Sequence, residues 1–362
     1  MGEQVIPRDL KFAGYENSIG RQKSILAKGK RLSDTLKQLR ENYIKEVDNI
    51  LGSRHKEYLK LRQKLREQAL DMQPLFSPTP EGEKIKNQFK KMRSAKVRDF
   101  ITHLGDDFTE VKNVQKVYGA QVSSAVQEAM EETRGPLADT NAPPFDDNPI
   151  NPWVYRYPPY IEASGSQIKF EDDLVQTLSH FENASTGEIG CKSSMNVAYT
   201  DEGARGQTRA SSEVWFSYQL PTSVSGLVEV VAYLQCIETP FHGSLEDEFG
   251  FSDAESEATS SIYLVEVVPE GQLPEPRYAT VLDIRKSSDG DDISWSGEVL
   301  SPGKYLYPHL YSMHPYAAGQ LITLKLGVHD WHWGEVNDMG IYSSITNRWV
   351  VSKIAVRCSP TP

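Results

Sequence analysis

Cysteine is scarce in this chain and nowhere paired: Cys191, Cys236 and Cys358 are the only three in 362 residues, far apart and without a CxxC spacing. An odd, scattered set of this kind argues against a disulfide framework or a zinc knuckle and fits three buried free thiols. No stretch of about 18 apolar residues occurs, which is the length a membrane-spanning helix needs. Met1 to Gly20 holds Arg8, Asp9, Lys11 and Glu16 where a secretory signal would have an apolar core. The expectation is a soluble protein, cytoplasmic at synthesis, for which any export takes a signal-independent route. Asn183-Ala184-Ser185 matches a glycosylation sequon but carries little weight without secretion.

Enzyme signatures are missing too: there is no GxSxG elbow, no GxxxxGK phosphate loop, no HExxH and no GxGxxG. That removes only those classes, because the paired carboxylates of a glycosidase leave no local motif. A non-enzymatic protein is expected, with a carbohydrate-active enzyme as the third reading.

What the chain does have is an uneven charge distribution. Residues 1–135 carry 26 Lys+Arg against 19 Asp+Glu, a net +7, and the remainder is net −18, for −11 overall. A polyanion-coating role for the whole molecule is disfavoured, so no specific nucleic-acid partner is expected. Opposite charges on the two parts favour contact between copies of the chain.

The basic part is helix-patterned. Leu32, Leu36, Leu39, Tyr43, Val47 and Ile50 recur at steps of three and four, and Tyr58, Leu61 and Leu65 resume the stripe beyond Gly52-Ser53. One rod of about 50 residues, roughly 75 Å long, is favoured over a hairpin turning at Gly52. Pro74, Pro78 and Pro80 end this unit. A second stripe follows through Ile85, Phe89, Met92, Phe100, Ile101 and Leu104, and a third, after Gly105, through Val111, Val114, Tyr118, Val122, Ala125 and Ala129. Residues 1–135 are therefore expected to form a helical bundle or coiled-coil stalk. Lys84, Lys90, Lys91, Arg93, Lys96 and Arg98 form a basic face, most simply a solvated one, otherwise one for assembly or for peripheral contact with an anionic membrane.

Residues 136–165 read as a linker. Seven prolines fall between Pro136 and Pro159, yet Trp153, Tyr155, Tyr157 and Tyr160 are too apolar for a bare spacer, so the segment is expected to pack on a domain or on another copy. After a short helix expected near Asp172 to Phe181, the period changes to two. Val214, Phe216, Tyr218 and Leu220 alternate with Trp215, Ser217 and Gln219, and further strand patterns follow to Val356. Eight to ten strands with almost no helix between them indicate, over 166–362, an antiparallel β-sandwich of jelly-roll type. The fold class is thus α+β and multidomain.

Three loops collect polar chemistry. His329, Asp330, Trp331, His332, Trp333 and Glu335 combine indoles with hydrogen-bonding groups, the kit that holds a sugar, unless the indoles simply close the sandwich. Alternation splits His329 from His332, which disfavours zinc. Asp289, Asp291 and Asp292 form an acidic tip able to take Ca²⁺, although a solvated loop is the simpler reading, and His242 opens another acidic stretch through Glu257. The leading expectation is a structural or adhesive protein, a homo-oligomer or a member of a protein assembly, whose sandwich binds a partner such as a glycan. The alternative is a toxin or effector with membrane-active helices and a targeting sandwich.

Overall fold

The structure is a computed structural model that describes residues 8–57, 60, 64, 80–131, 133–143, 145, 151–172, 174–197, 204–247, 253–267, 275–289, 292–312, 314–337 and 339–360. A helix-rich N-terminal region precedes a large antiparallel β-sandwich of two sheets. Among the described residues no helix is long and apolar enough to cross a membrane.

Helix α1 runs Arg8–Leu51, α2 Pro80–Leu104 and α3 Asp106–Glu131. Gly52 and Gly105 follow the first two with φ of +54° and +59°, a left-handed conformation that glycine adopts without steric cost. The uninterrupted rod thus stops at Leu51; residues 53–57 are helical again, and Tyr58, Leu61 and Leu65 lie outside the described residues. Helices α1 and α3 are antiparallel neighbours: Val47 and Leu51 cluster with Leu104 at the end of α2 and with Val111 and Val114 of α3, and Tyr43 stacks on Tyr118 with ring centroids 4.8 Å apart. Arg54 pairs with Asp107 at the same end.

Among the described residues there are fourteen strands: β1 (Val154–Arg156), β2 (Glu162–Asp172), β3 (Val175–Asn183), β4 (Glu188–Val197), β5 (Ala204–Gln219), β6 (Gly226–Glu238) and β7 (Pro240–Asp247), then β8 (Asp253–Glu266), β9 (Arg277–Asp289), β10 (Ile293–Glu298), β11 (Tyr305–Leu306), β12 (His309–Tyr311), β13 (Leu321–Asn337) and β14 (Met339–Pro360). The five-stranded sheet has the order β2-β5-β13-β8-β9. In the nine-stranded sheet β14 is the spine. Its first half lies between β4 and β7, its second half between β1 and β6, while β3 and β10 border β4 and β7 and the short β11 and β12 border β6. The short helix expected near Asp172 to Phe181 is instead the end of β2 and most of β3. β-Branched Val175 and Thr177 favour strand, and every residue from Val175 to Asn183 pairs with β4.

The core between the sheets follows the period-two pattern. Val214, Phe216 and Tyr218 of β5 and Leu324, Leu326 and Val328 of β13 pack against Val228, Val230 and Ala232 of β6 and Trp349, Val351 and Ile354 of β14. The proline-rich segment is fastened to the same body. Leu137 bridges to Thr280, Asp139 to Tyr307, and β1 pairs with β14, so the rings expected to pack on a domain do lie against the sandwich.

The helices do not stand away from the strands. Leu32 and Leu36 of α1 and Tyr118, Val122, Val126 and Met130 of α3 share one buried cluster with Trp331 and Trp333 of β13. Ser261 donates to the carbonyl of Thr133 at 2.8 Å just beyond α3, and Arg134 pairs with Asp283 at 3.0 Å. The apolar stripe expected to serve helix–helix packing is thus shared between the helices and the outer face of the five-stranded sheet.

Candidate functional site

The expected sugar platform on β13 is inside the molecule. Trp331 is 0% and Trp333 1% exposed, beneath the helices. The guanidinium of Arg209 lies 3.7 Å from the Trp331 ring centroid, and Gln207, with its amide turned to satisfy both ends, accepts from the Trp331 indole at 2.7 Å. Glu335 accepts from the Tyr118 phenol at 2.6 Å. His329 is buried on the same face, its ring 6.3 Å from that of Tyr278. Alternation sets His329, Trp331 and Trp333 apart from Asp330 and His332 as expected, Glu335 falls on the side of the indoles, and the indoles serve the helix–sheet junction.

Asp330 and His332 point the other way, into the space between the sheets. Asn347 donates to Asp330 at 3.2 Å, Ser260 also donates to it, and the Trp349 indole donates to Asn347. His332 holds Ser343 at 2.7 Å and Ser193 at 3.2 Å. Burial pushes the Asp330 carboxyl up to about 7, against the pull of its two donors, and pushes the His332 imidazole down to about 4. Although Ser, His and Asp meet here, the two titratable groups are fully buried and share no hydrogen bond, so the arrangement is a polar lining of the core and not a nucleophile with its base.

The remaining expected sites are dispersed. Lys84, Lys91, Lys96 and Arg98 are exposed along α2, while the side chains of Lys90 and Arg93 lie outside the described residues. Asp292 is exposed; Asp291 and the side chain of Asp289 are outside the described residues, as is much of the acidic stretch after His242. No three potential metal ligands converge among the described residues.

A different surface brings chemistry together: the outer face of the nine-stranded sheet around the second half of β14. Lys353 and Arg357 alternate with inward-facing Ile354 and Val356, so their cations stand on the outside. The Lys353 ammonium is 3.7 Å from the centroid of Tyr233 and 4.8 Å from that of Tyr155, the strand neighbours on either side. The Arg357 guanidinium is 4.3 Å from the Trp153 centroid and donates to Glu229 at 2.6 Å. Glu229 also meets His309 at 2.7 Å and accepts from Tyr311 at 3.2 Å. Burial alone would raise its carboxyl; the bonds from His309 and Arg357 outweigh that and hold it below the ordinary carboxylate value. Phe145 stacks on Tyr233, and Tyr307 meets Tyr233 edge-on at 5.1 Å and lies parallel to Tyr305 at 6.2 Å. Burial and the neighbouring phenols push the Tyr233 hydroxyl up to about 12.

The rim of this face reaches water: Tyr155 is 38%, Tyr157 55% and Tyr311 39% exposed. Sequence reasoning noticed Trp153, Tyr155 and Tyr157 but missed their partners. A signal was present, because Tyr305, Tyr307, His309 and Tyr311 alternate over seven residues and so share one face, as do Glu229, Val231, Tyr233 and Gln235 of β6.

No family model matches the sequence, and no curated protein does either. Similarity is found only to solved structures. The carbohydrate-binding module TmCBM61 in complex with β-1,4-galactotriose is 10% identical, with a TM-score of 0.13 over 46% of this chain and 86% of that one. A carbohydrate-binding module from the β-sandwich superfamily is 9% identical, with a TM-score of 0.12 over 49% of this chain and 55% of the other. The enzymatically active domain of tailspike protein 4 of bacteriophage CBA120 is 8% identical, with a TM-score of 0.12 over 54% of this chain and 19% of that one. At these scores none of them bears on the fold or the ligand of this chain.

Proposed function

We propose that this protein is a non-enzymatic adhesive or structural protein whose sandwich holds a glycan on the outer face of the nine-stranded sheet. One observation carries the reading: the half-exposed rings of Tyr155, Tyr157 and Tyr311 border a polar cluster of Lys353, Arg357, Glu229 and His309. A pyranose offers C–H faces that pack on rings and hydroxyls that bond to charged groups, and this surface presents both within one sheet face. The charged groups are already oriented by one another, which limits the ordering cost of binding. In the same reading the basic helical region supports assembly, its net +7 meeting the net −18 of the remainder of a second copy.

A panel of immobilised neutral and acidic oligosaccharides, probed with the full chain, tests the glycan reading. At least one should retain the protein, and Tyr155→Ala with Tyr311→Ala should weaken retention about tenfold, the equivalent of about 1.4 kcal/mol, without loss of the folded circular-dichroism spectrum. Failure to bind any glycan across the panel overturns it. Assembly is read separately, by light scattering at low and high salt; one constant monomeric mass would remove that part.

A further inference from the structure

A groove lies on the opposite sheet, where α3 crosses the edge formed by β8 and β9. Its volume is about 530 Å³, within the range of small-molecule sites. Gly119 and Ala120 on α3 face it, and their small side chains leave the space open. Ser123 and Ser124 of α3 and Ser287 of β9, which shares the face of Arg285 and Glu255, line its two walls.

Its charge departs from its surroundings. Lys112 and Lys116, one helical turn apart, and Arg285 from β9 line the groove with a single acid, Glu255. Arg285 is held in place by Glu255 at 2.7 Å and by Glu257 at 3.1 Å. Burial, with Glu255 beside it, pushes the Glu257 carboxyl up to about 8. At neutral pH Arg285 therefore answers mainly to one carboxylate, and the two lysines leave the groove positive on a chain whose net charge is −11.

We propose that this groove is a ligand site for a small hydroxylated anion, a sugar acid or a sugar phosphate, with Lys112 and Lys116 engaging the anionic group and the serines engaging hydroxyls. The lysines supply point charges suited to either anion, and the paired serine walls select a polyhydroxylated body over a bare ion. Nothing in this assignment depends on the ring-bearing face.

The test is calorimetric titration of the full chain with glucuronate, glucose 6-phosphate, glucose and inorganic phosphate. Glucuronate, glucose 6-phosphate or both should bind at least tenfold more tightly than glucose and than phosphate, and whichever binds identifies the anion. Lys112→Glu with Lys116→Glu should abolish that binding, and Ala120→Trp, which fills the groove without altering charge, should do the same while circular dichroism stays unchanged. Tyr155→Ala with Tyr311→Ala should leave it intact, which separates this site from the glycan face. Absence of binding by both anions, equal binding of glucose or phosphate, or full binding by the Ala120→Trp variant each overturns the proposal.

Discussion

The phenol of Tyr118 on α3 donates a 2.6 Å hydrogen bond to the carboxylate of Glu335 on β13, joining residues 217 positions apart inside the molecule. Around this bond Trp331, Trp333, Val122 and Met130 exclude water. The helical region and the sandwich consequently share buried surface, and they should lose it together.

Tyr118→Phe keeps the ring packed on Tyr43 and deletes only the donor. Removal of a buried bond to a charged group costs about 1.5–3 kcal/mol, which should show as a lowered midpoint in chemical denaturation followed by far-ultraviolet circular dichroism. A midpoint equal to that of the unaltered chain would mean that the junction is not formed in solution.

Trp331→Ala empties a fully buried site and removes the ring beneath Arg209. The expected loss is about 3–5 kcal/mol, with earlier proteolysis in α1 and α3 than in the strands. Intrinsic fluorescence gives a second check. Trp215, Trp331, Trp333 and Trp349 are buried and only Trp153 and Trp295 are partly exposed, so iodide should quench a minority of the emission.

Asp330 and His332 impose opposite pH slopes on stability. The fold keeps the Asp330 carboxyl protonated up to about 7, whereas the unfolded chain ionises it near 4. Stability therefore falls as pH rises between those values, and the loss is complete above the upper one. His332 binds its proton only near 4 in the fold and near 6.5 when unfolded, so stability falls as pH drops through that window. Asp330→Asn, which mimics the protonated carboxyl, should remove the first slope and leave the second. Denaturation from pH 4 to pH 8 should show the variant gaining on the original chain as pH rises; a difference independent of pH would contradict the assignment.

All three cysteines are free and buried, and burial raises each thiol pKa. A thiol reagent at neutral pH should label none of them in the native protein within minutes and three per chain in denaturant. Rapid native labelling of one would show a local opening around that residue.

Much of this architecture is legible in local pattern. Alternation at Val214, Phe216 and Tyr218 gives the strand and its inward face, the apolar stripe of Leu32, Leu36, Tyr118 and Val122 gives the helices, and Gly52 and Gly105 mark where they break. Alternation also separates Trp331 from His332 correctly. It carries no information on what lies over a sheet face, because the cover of the indoles comes from α3 and α1, roughly 200 to 300 positions earlier. The same limit applies to Lys353, whose two ring neighbours come from β1 and β6. The helix expected near Asp172 to Phe181 fails for a different reason: apolar spacing is ambiguous over so few residues, and the pairing of Val175 to Asn183 with β4 decides for strand.

The spine strand has a bearing on how the molecule is born. β14 follows in the chain every strand it pairs with, namely β1, β4, β6 and β7. On a translating ribosome those four must wait, with hydrogen-bonding edges open, until residues 339–360 emerge. The surface that gathers Tyr155, Tyr233 and Lys353 is thus the last part of the sandwich to come into being, and a nascent chain arrested before Met339 should be the form most in need of a chaperone.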